Sequence, residues 1–150
     1  MKVIIASDHG GFQYKNLLLK DIREHGYDLA DLGIFNEEPS DYPDQALLVA
    51  EAIQRGDAER GILICGSGVG VSVAANKFKG IRAGVCHDTY SAHQSVEHDD
   101  ANVLCLGERV IGIELAREII LTFLAAQFSH GERHQRRLDK IKKIESKNFK

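Results

Sequence analysis

The stretch GILICGSGVGVSVAANKFKG, residues 61–80, decides the fold. It opens on an aliphatic run without a polar side chain, and that run ends at Cys65. Gly66, Gly68 and Gly70 follow at alternate positions, and then Val71, Val73, Ala74 and Ala75. A short, continuous Ile/Leu run suits a strand buried on both faces, because alternation is lost when neither face meets water. The glycines suit a tight turn, and the segment after them a helix. Strand, glycine turn and helix make up the repeating unit of a parallel sheet.

Outward from that unit the same alternation recurs. Apolar runs lie at 2–7 (KVIIAS), 27–33 (YDLADLG), 61–65 (GILIC), 81–86 (IRAGVC) and 102–107 (NVLCLG). Segments with helical spacing lie at about 12–25, 43–56, 69–78, 88–98 and 112–127. In the second of these, Ala46, Val49, Ala50 and Ile53 share a face, and Pro43 sits in the first turn, where its missing N–H costs nothing. The rhythm predicts a single Rossmann-like, doubly wound α/β domain of about five parallel strands in three layers, α/β/α. Residues 1–127 form the core, and 128–150 a basic C-terminal helix or tail of the same domain.

A chain of 150 residues, 43% hydrophobic, can bury roughly two-thirds of its unfolded surface as one domain. No stretch approaches the roughly 18 apolar residues of a membrane span, and the apolar start stops at Asp8, too short for a secretory leader. A cytoplasmic protein without a membrane role is expected. Cys65, Cys86 and Cys105 are odd in number and lack CxxC or CxxxC spacing, which favours reduced thiols over a disulfide framework or a zinc site. A formal charge of −3 gives no general case for nucleic acid. Cations nevertheless crowd the tail, GERHQRRLDKIKKIESKNFK, residues 131–150. A solvated helix face accounts for them; the stripe of Leu138, Ile141 and Ile144 also suits docking on a partner subunit.

In open parallel sheets ligands bind beyond the carboxyl ends of the strands. Here those ends read Ser7-Asp8-His9-Gly10-Gly11, Cys65-Gly66-Ser67-Gly68, Cys86-His87-Asp88 and Gly107-Glu108-Arg109. The glycine triplet imitates a dinucleotide fingerprint, with Asp88 about 20 residues on, but the third glycine of that motif would stand at 71, which is valine. No GK[ST] follows, so a P-loop is poorer still. The glycines do offer bare N–H groups at a helix start, a receptor for phosphate or for an oxyanion formed in a reaction. A helix start also favours the thiolate of a neighbouring cysteine, so Cys65 is either packing or a reactive group. Packing is the better account of Cys86 and Cys105.

Asp8 and His9 read as a cap and a surface imidazole or as parts of a site. His98, beside Asp99 and Asp100, is placed just before the fifth strand and can act as a general acid or base near neutral pH. His93 and His98 are five apart, with no second cluster at ligand spacing, so no metal is expected. Arg109, Arg133 and Arg137 supply planar donors matched to phosphate. Tyr42, in DYPD, borders the pocket or merely occupies a turn.

SDHGG, DYPD, GILICGSGVGVSVAANKFKGIRAG, EHDDANVLCLGERVIG and GERHQRR stand here in one order and spacing. In these motifs the chain resembles type B ribose-5-phosphate isomerases from residue 1 to about 145, and galactose-6-phosphate isomerase subunits more distantly. The resemblance implies an aldose–ketose isomerase of the pentose phosphate pathway, interconverting ribose 5-phosphate and ribulose 5-phosphate without metal or cofactor. It implies Cys65 as the base between C1 and C2, His98 opening the sugar ring with help from Asp8, and Ser67 shuttling protons at the sugar oxygens. The N–H groups of Gly66, Ser67, Gly68, Val69 and Gly70 would hold the enediolate; His9, Arg109, Arg133 and Arg137 would take the phosphate, and Asp99 would contact the sugar. It also implies a homodimer, with further pairing into tetramers left open, in which the C-terminal arginines complete the neighbouring subunit's site.

Two residues depart from the pattern. Ser67 replaces a common threonine and keeps the hydroxyl; Asp99 replaces the usual asparagine, and a carboxylate accepts where an amide can also donate. Some relatives lack the cysteine and use a glutamate deeper in the loop, a position held here by Val71. The rival readings are the same reaction on a six-carbon sugar phosphate, allose or galactose 6-phosphate, a non-catalytic nucleotide-binding module, or a receiver domain. The last needs a lysine at the end of the fifth strand, where LCLGERV has none.

Overall fold

The computed structural model describes residues 1–149. Five strands, β1 (Lys2–Ser7), β2 (Asp28–Asp31), β3 (Arg60–Cys65), β4 (Ala83–Val85) and β5 (Val103–Gly107), alternate with α1 (Phe12–Glu24), α2 (Tyr42–Gln54), α3 (Val69–Ala75), α4 (Thr89–Asp99) and α5 (Ile113–Ala125). A last helix, α6 (Glu132–Asn148), forms the basic tail. All pairings are parallel, in the order β2-β1-β3-β5-β4. The expected three layers are present. One core joins Leu18, Ile22, Val96, Ile119, Ile120 and Phe123 of α1, α4 and α5 to one sheet face, and the other joins Ala46, Val49, Val71 and Ala75 of α2 and α3 to the opposite face.

The strands are shorter than their apolar runs where side chains take over the ladder. β4 keeps three residues of the expected 81–86. Asn76 accepts from the Ala83 N–H and donates to the Ala83 carbonyl, while Asn102 accepts from the Arg82 N–H. The Asn76 amide occupies the outer edge of β4 at Ala83, while Asn102 bonds Arg82 on the side facing β5. The second run stops at Asp31 because Gly33 turns with a φ of +107°. α3 ends at Ala75, where Lys77, Phe78 and Ile81 bond back to carbonyls three residues earlier.

Lys15 of α1 is wholly buried, and its ammonium lies 2.7 and 2.8 Å from the two carboxylate oxygens of Asp31. Asp31 also accepts from Gly33 N–H, so the pair secures the segment leading from β2 toward α2. α6 is only half docked. Leu138 is buried, but Ile141 and Ile144 of the same stripe are exposed.

Removing one member of a buried ion pair strands the other charge, at a cost of about 3–5 kcal/mol, whereas replacing both with apolar residues is often tolerated. Asp31→Ala is therefore expected to lower the urea unfolding free energy by about that much, and the double change Lys15→Met, Asp31→Leu to recover most of it.

Candidate active site

The strand order reverses between β1 and β3, and a cleft of about 360 Å³ opens there at the carboxyl ends. Its walls are Asp8, Tyr42, Cys65, Gly66, Ser67, Gly70, Arg109 and Val110. Glycines let the backbones meet so closely. A β-carbon on Gly11 would lie 2.2 Å from the Ile64 carbonyl oxygen, and one on Gly10 would lie 3.0 Å from Gly66 N. The turn after β1 is thus laid directly on the turn after β3.

Cys65 ends β3 with 4% of its surface exposed, yet it lines the cleft. Its sulfur accepts from Gly68 N–H at 3.1 Å, and Gly68 takes a left-handed φ of +80° to present that group. Ser67 Oγ accepts from Val69 N–H. The first backbone bond within α3 runs from Ser72 N–H to Gly68 O, so Gly70 and Val71 N–H have no intrahelical acceptor. Of the N–H groups expected to receive an oxyanion at residues 66–70, Gly68 N–H meets the sulfur and Val69 N–H the Ser67 hydroxyl in this structure.

Asp8 is buried with one carboxylate oxygen accepting from Gly10 N–H at 2.9 Å. His9 is exposed, outside the cleft walls, and tied by its N–H and ring to Ser40. Arg109 lies over Gly66, its guanidinium carbon 3.8 Å from where a β-carbon would stand. Glu108, its neighbour, turns away and accepts from Tyr14 N–H at 2.6 Å, capping α1, so it adds no carboxylate to the cleft walls. Tyr42 does border the cleft: a β-carbon on Gly70 would lie 2.9 Å from its ring. Val71 is wholly buried.

The other predicted residues lie elsewhere. α4 runs back across the sheet, so His98 and Asp99 at its end reach the amino edge, where Arg82 binds the Asp99 and Asp100 carbonyls just before β4. Cys65 is at the far end of the strands, on the order of 15 Å away. The polar strand ends expected to share one edge do so for Asp8, Cys65, Ser67 and Arg109, while His98 lies before β5, as its place in the sequence implies. Around His98 there is a second cluster. Its ring stacks on that of His134 at a centroid distance of 4.0 Å, and Gln94 bonds its Nδ1. Arg133 Nε–H donates to His134 Nε2, and Ser129 Oγ meets Nδ1. Sequence reasoning missed His134 and Ser129, because only the docking of α6 beside α4 reveals them. Among the described residues, no three His, Cys, Asp or Glu side chains group as a metal site requires.

A cleft at the switch point of a doubly wound sheet, with a thiol, a carboxylate and an arginine on its walls, defines a protein that acts on a small anionic molecule. Comparison with known proteins is specific: the Ribose/Galactose Isomerase family matches residues 3–141, and the chain belongs to that family. It is 47% identical over 146 residues to ribose-5-phosphate isomerase B of Escherichia coli, covering 97% of each chain. The solved structure of Clostridium thermocellum ribose-5-phosphate isomerase B superposes with a TM-score of 0.95 at 50% identity over 99% of both chains. A D-erythrulose-4-phosphate isomerase 2 of Mycolicibacterium smegmatis is 44% identical over 131 residues, covering 85% of this chain and 86% of that protein.

Burial holds His134 below the usual histidine range, helped by His98, Arg133 and Arg137 and opposed by Glu97. Its unfolded form takes a proton near pH 6.5, and the folded form only at lower pH. Stability is therefore expected to fall as pH drops below about 6.5 and to be untouched by this group above it. Denaturant midpoints across pH 5–8 should show that slope in the wild type and a shallower one in His134→Gln.

Proposed function

We propose that the chain interconverts ribose 5-phosphate and ribulose 5-phosphate, with Cys65 as the base. The observation that carries this reading is the Cys65 sulfur on the cleft wall, beside Asp8 and Ser67, with Arg109 at the rim. Family membership and the similarity to ribose-5-phosphate isomerases B support the substrate.

In the opened aldose, Cys65 thiolate takes the proton from C2. The electron pair left behind forms the C1–C2 double bond, and the charge passes to the carbonyl oxygen at C1. Amide N–H groups of the loop stabilise that oxygen, each such donor contributing about 3 kcal/mol to the barrier reduction. Ser67 hydroxyl relays the proton between the two oxygens. The Cys65 thiol then returns its proton to C1, and the ketose is complete with no net change in protons. Arg109 and His9 hold the phosphate.

Ring opening needs His98, and phosphate binding draws on Arg133 and Arg137, all remote from the cleft of their own chain. The reading therefore requires two copies, each lending its amino-edge cluster to the other's cleft. Apolar side chains left exposed on one chain support such pairing: Val69 and Val73 on α3, Val85 on the edge strand, Tyr90, and Ile141 and Ile144 on α6. Asp99, exposed at the end of α4, would enter with His98 and bring a carboxylate near the sugar.

A coupled assay from ribose 5-phosphate to ribulose 5-phosphate tests the reading. Full turnover is expected with EDTA present. Cys65→Ala is expected to lose nearly all turnover while still binding ribose 5-phosphate, seen as a raised Tm. A variant retaining a tenth of wild-type kcat removes Cys65 from the base position. A panel with erythrose, allose and galactose phosphates ranks the alternatives, and a higher kcat/KM on any of them overturns the pentose assignment.

A further inference from the structure

His87 lies just beyond β4, at the carboxyl edge, and none of the chemistry above uses it. Its Nε2 accepts a hydrogen bond from Gly107 N–H at 3.0 Å. The ladder explains why that N–H needs a partner. β4 and β5 pair up to Val85↔Cys105, and Cys86 N–H still reaches Cys105 O at 3.3 Å. Beyond that the chain turns into α4, where Asp88 accepts from Ser91 N–H. Glu108 N–H points the other way, to Cys65 O on β3. Gly107 N–H is thus aimed at a strand that has already ended, and the imidazole stands in for the missing carbonyl.

The peptide so anchored is the floor of the cleft loop. A β-carbon on Gly107 would lie 2.6 Å from the carbonyl carbon of Ser67, and one on Gly68 would lie 2.9 Å from the carbonyl carbon of Leu106. Ser67 and Gly68 therefore rest directly on the Leu106–Gly107 peptide. Gly68 carries the N–H that meets the Cys65 sulfur. The next turn, through Arg109 N–H to Gly66 O, is built from the same segment.

We propose that His87 is a positioning residue for the isomerisation: as a neutral acceptor it fixes the Leu106–Gly107 peptide and so sets the height of the Ser67–Gly68 turn against the Cys65 sulfur. The acceptor at Nε2 puts the ring proton on Nδ1, so the working form is the uncharged Nδ1–H tautomer. His87 is not one of the cleft walls, so its loss acts on the alignment of thiol and amides and leaves the phosphate contact of Arg109 in place. This inference rests on the isomerase reading, and its test is arranged to be separable from it.

His87→Ala removes the acceptor. His87→Gln restores one, because the Gln side-chain oxygen reaches about as far as Nε2. On ribose 5-phosphate, His87→Ala is expected to lower kcat roughly 10- to 100-fold with KM little changed, and His87→Gln to return kcat to within about threefold of wild type. Amide hydrogen exchange at Gly107, followed by NMR without substrate, is expected to speed up in His87→Ala and slow again in His87→Gln. If His87→Ala fails to fold, His87→Leu keeps the bulk without the acceptor and is read the same way. A kcat within twofold of wild type in the acceptor-less variant, a change in KM alone, or a glutamine variant as impaired as alanine each overturns the proposal. A wild type without turnover sinks the isomerase reading instead, and the exchange rates still decide whether His87 anchors the peptide.

Discussion

Gly107 has no side chain, and the turn after β3 lies where a β-carbon would be. That contact sets the rest of the site. It lets Ser67 and Gly68 fold down over the end of β5, with Gly68 in a left-handed conformation and its N–H pointed at the Cys65 sulfur. A thiol at the end of a buried strand would otherwise be one more small apolar residue among Ala6, Val71 and Cys105. Here the same sulfur is packed on one side and open to the cleft on the other. Gly10 and Gly11 extend the arrangement by bringing Asp8 against the same turn.

The direction of α4 imposes the second constraint. In a parallel sheet each connecting helix returns from the carboxyl edge to the amino edge, so a residue at its end is separated from the strand ends by the strand's own length. His98 is such a residue. Its environment is nevertheless organised: His134 is stacked on it, Gln94 holds its ring, and α6 brings Arg133 and Arg137 alongside. In the proposed reaction half of the chemistry falls at each edge, and the proposal of a shared site follows from that separation more than from the apolar patch.

The core was legible because periodicity records burial. The five apolar runs became the five strands, and the glycine-rich stretch became a turn at 66–68 with α3 opening at Val69. What could not be read were the places where a side chain replaces backbone. Asn76 and Asn102 bond the backbone where β4 starts, at Ala83 rather than Ile81, and nothing in the run IRAGVC says so. Strand order was equally hidden: β5 inserts between β3 and β4, which depends on contacts distant in sequence. For the site, Asp8, Cys65, Ser67 and Arg109 were found by their position at strand ends. His98 was placed just before the fifth strand, where it lies; its distance from the cleft of its own chain follows from the direction of α4. Tyr42 had two open readings until α2 met the glycine loop, and His134 became visible only when α6 met α4.

The shared-site claim is tested most directly by mixing two chains that are each inactive, Cys65→Ala and His98→Asn, under conditions that exchange subunits. In a mixed dimer one cleft pairs an intact Cys65 with an intact His98 and the other has neither. Equal mixing should restore roughly a quarter of the wild-type rate, because half the dimers are mixed and each has one of two sites intact. Mixed dimers that form but show no more activity than the parents would contradict the account.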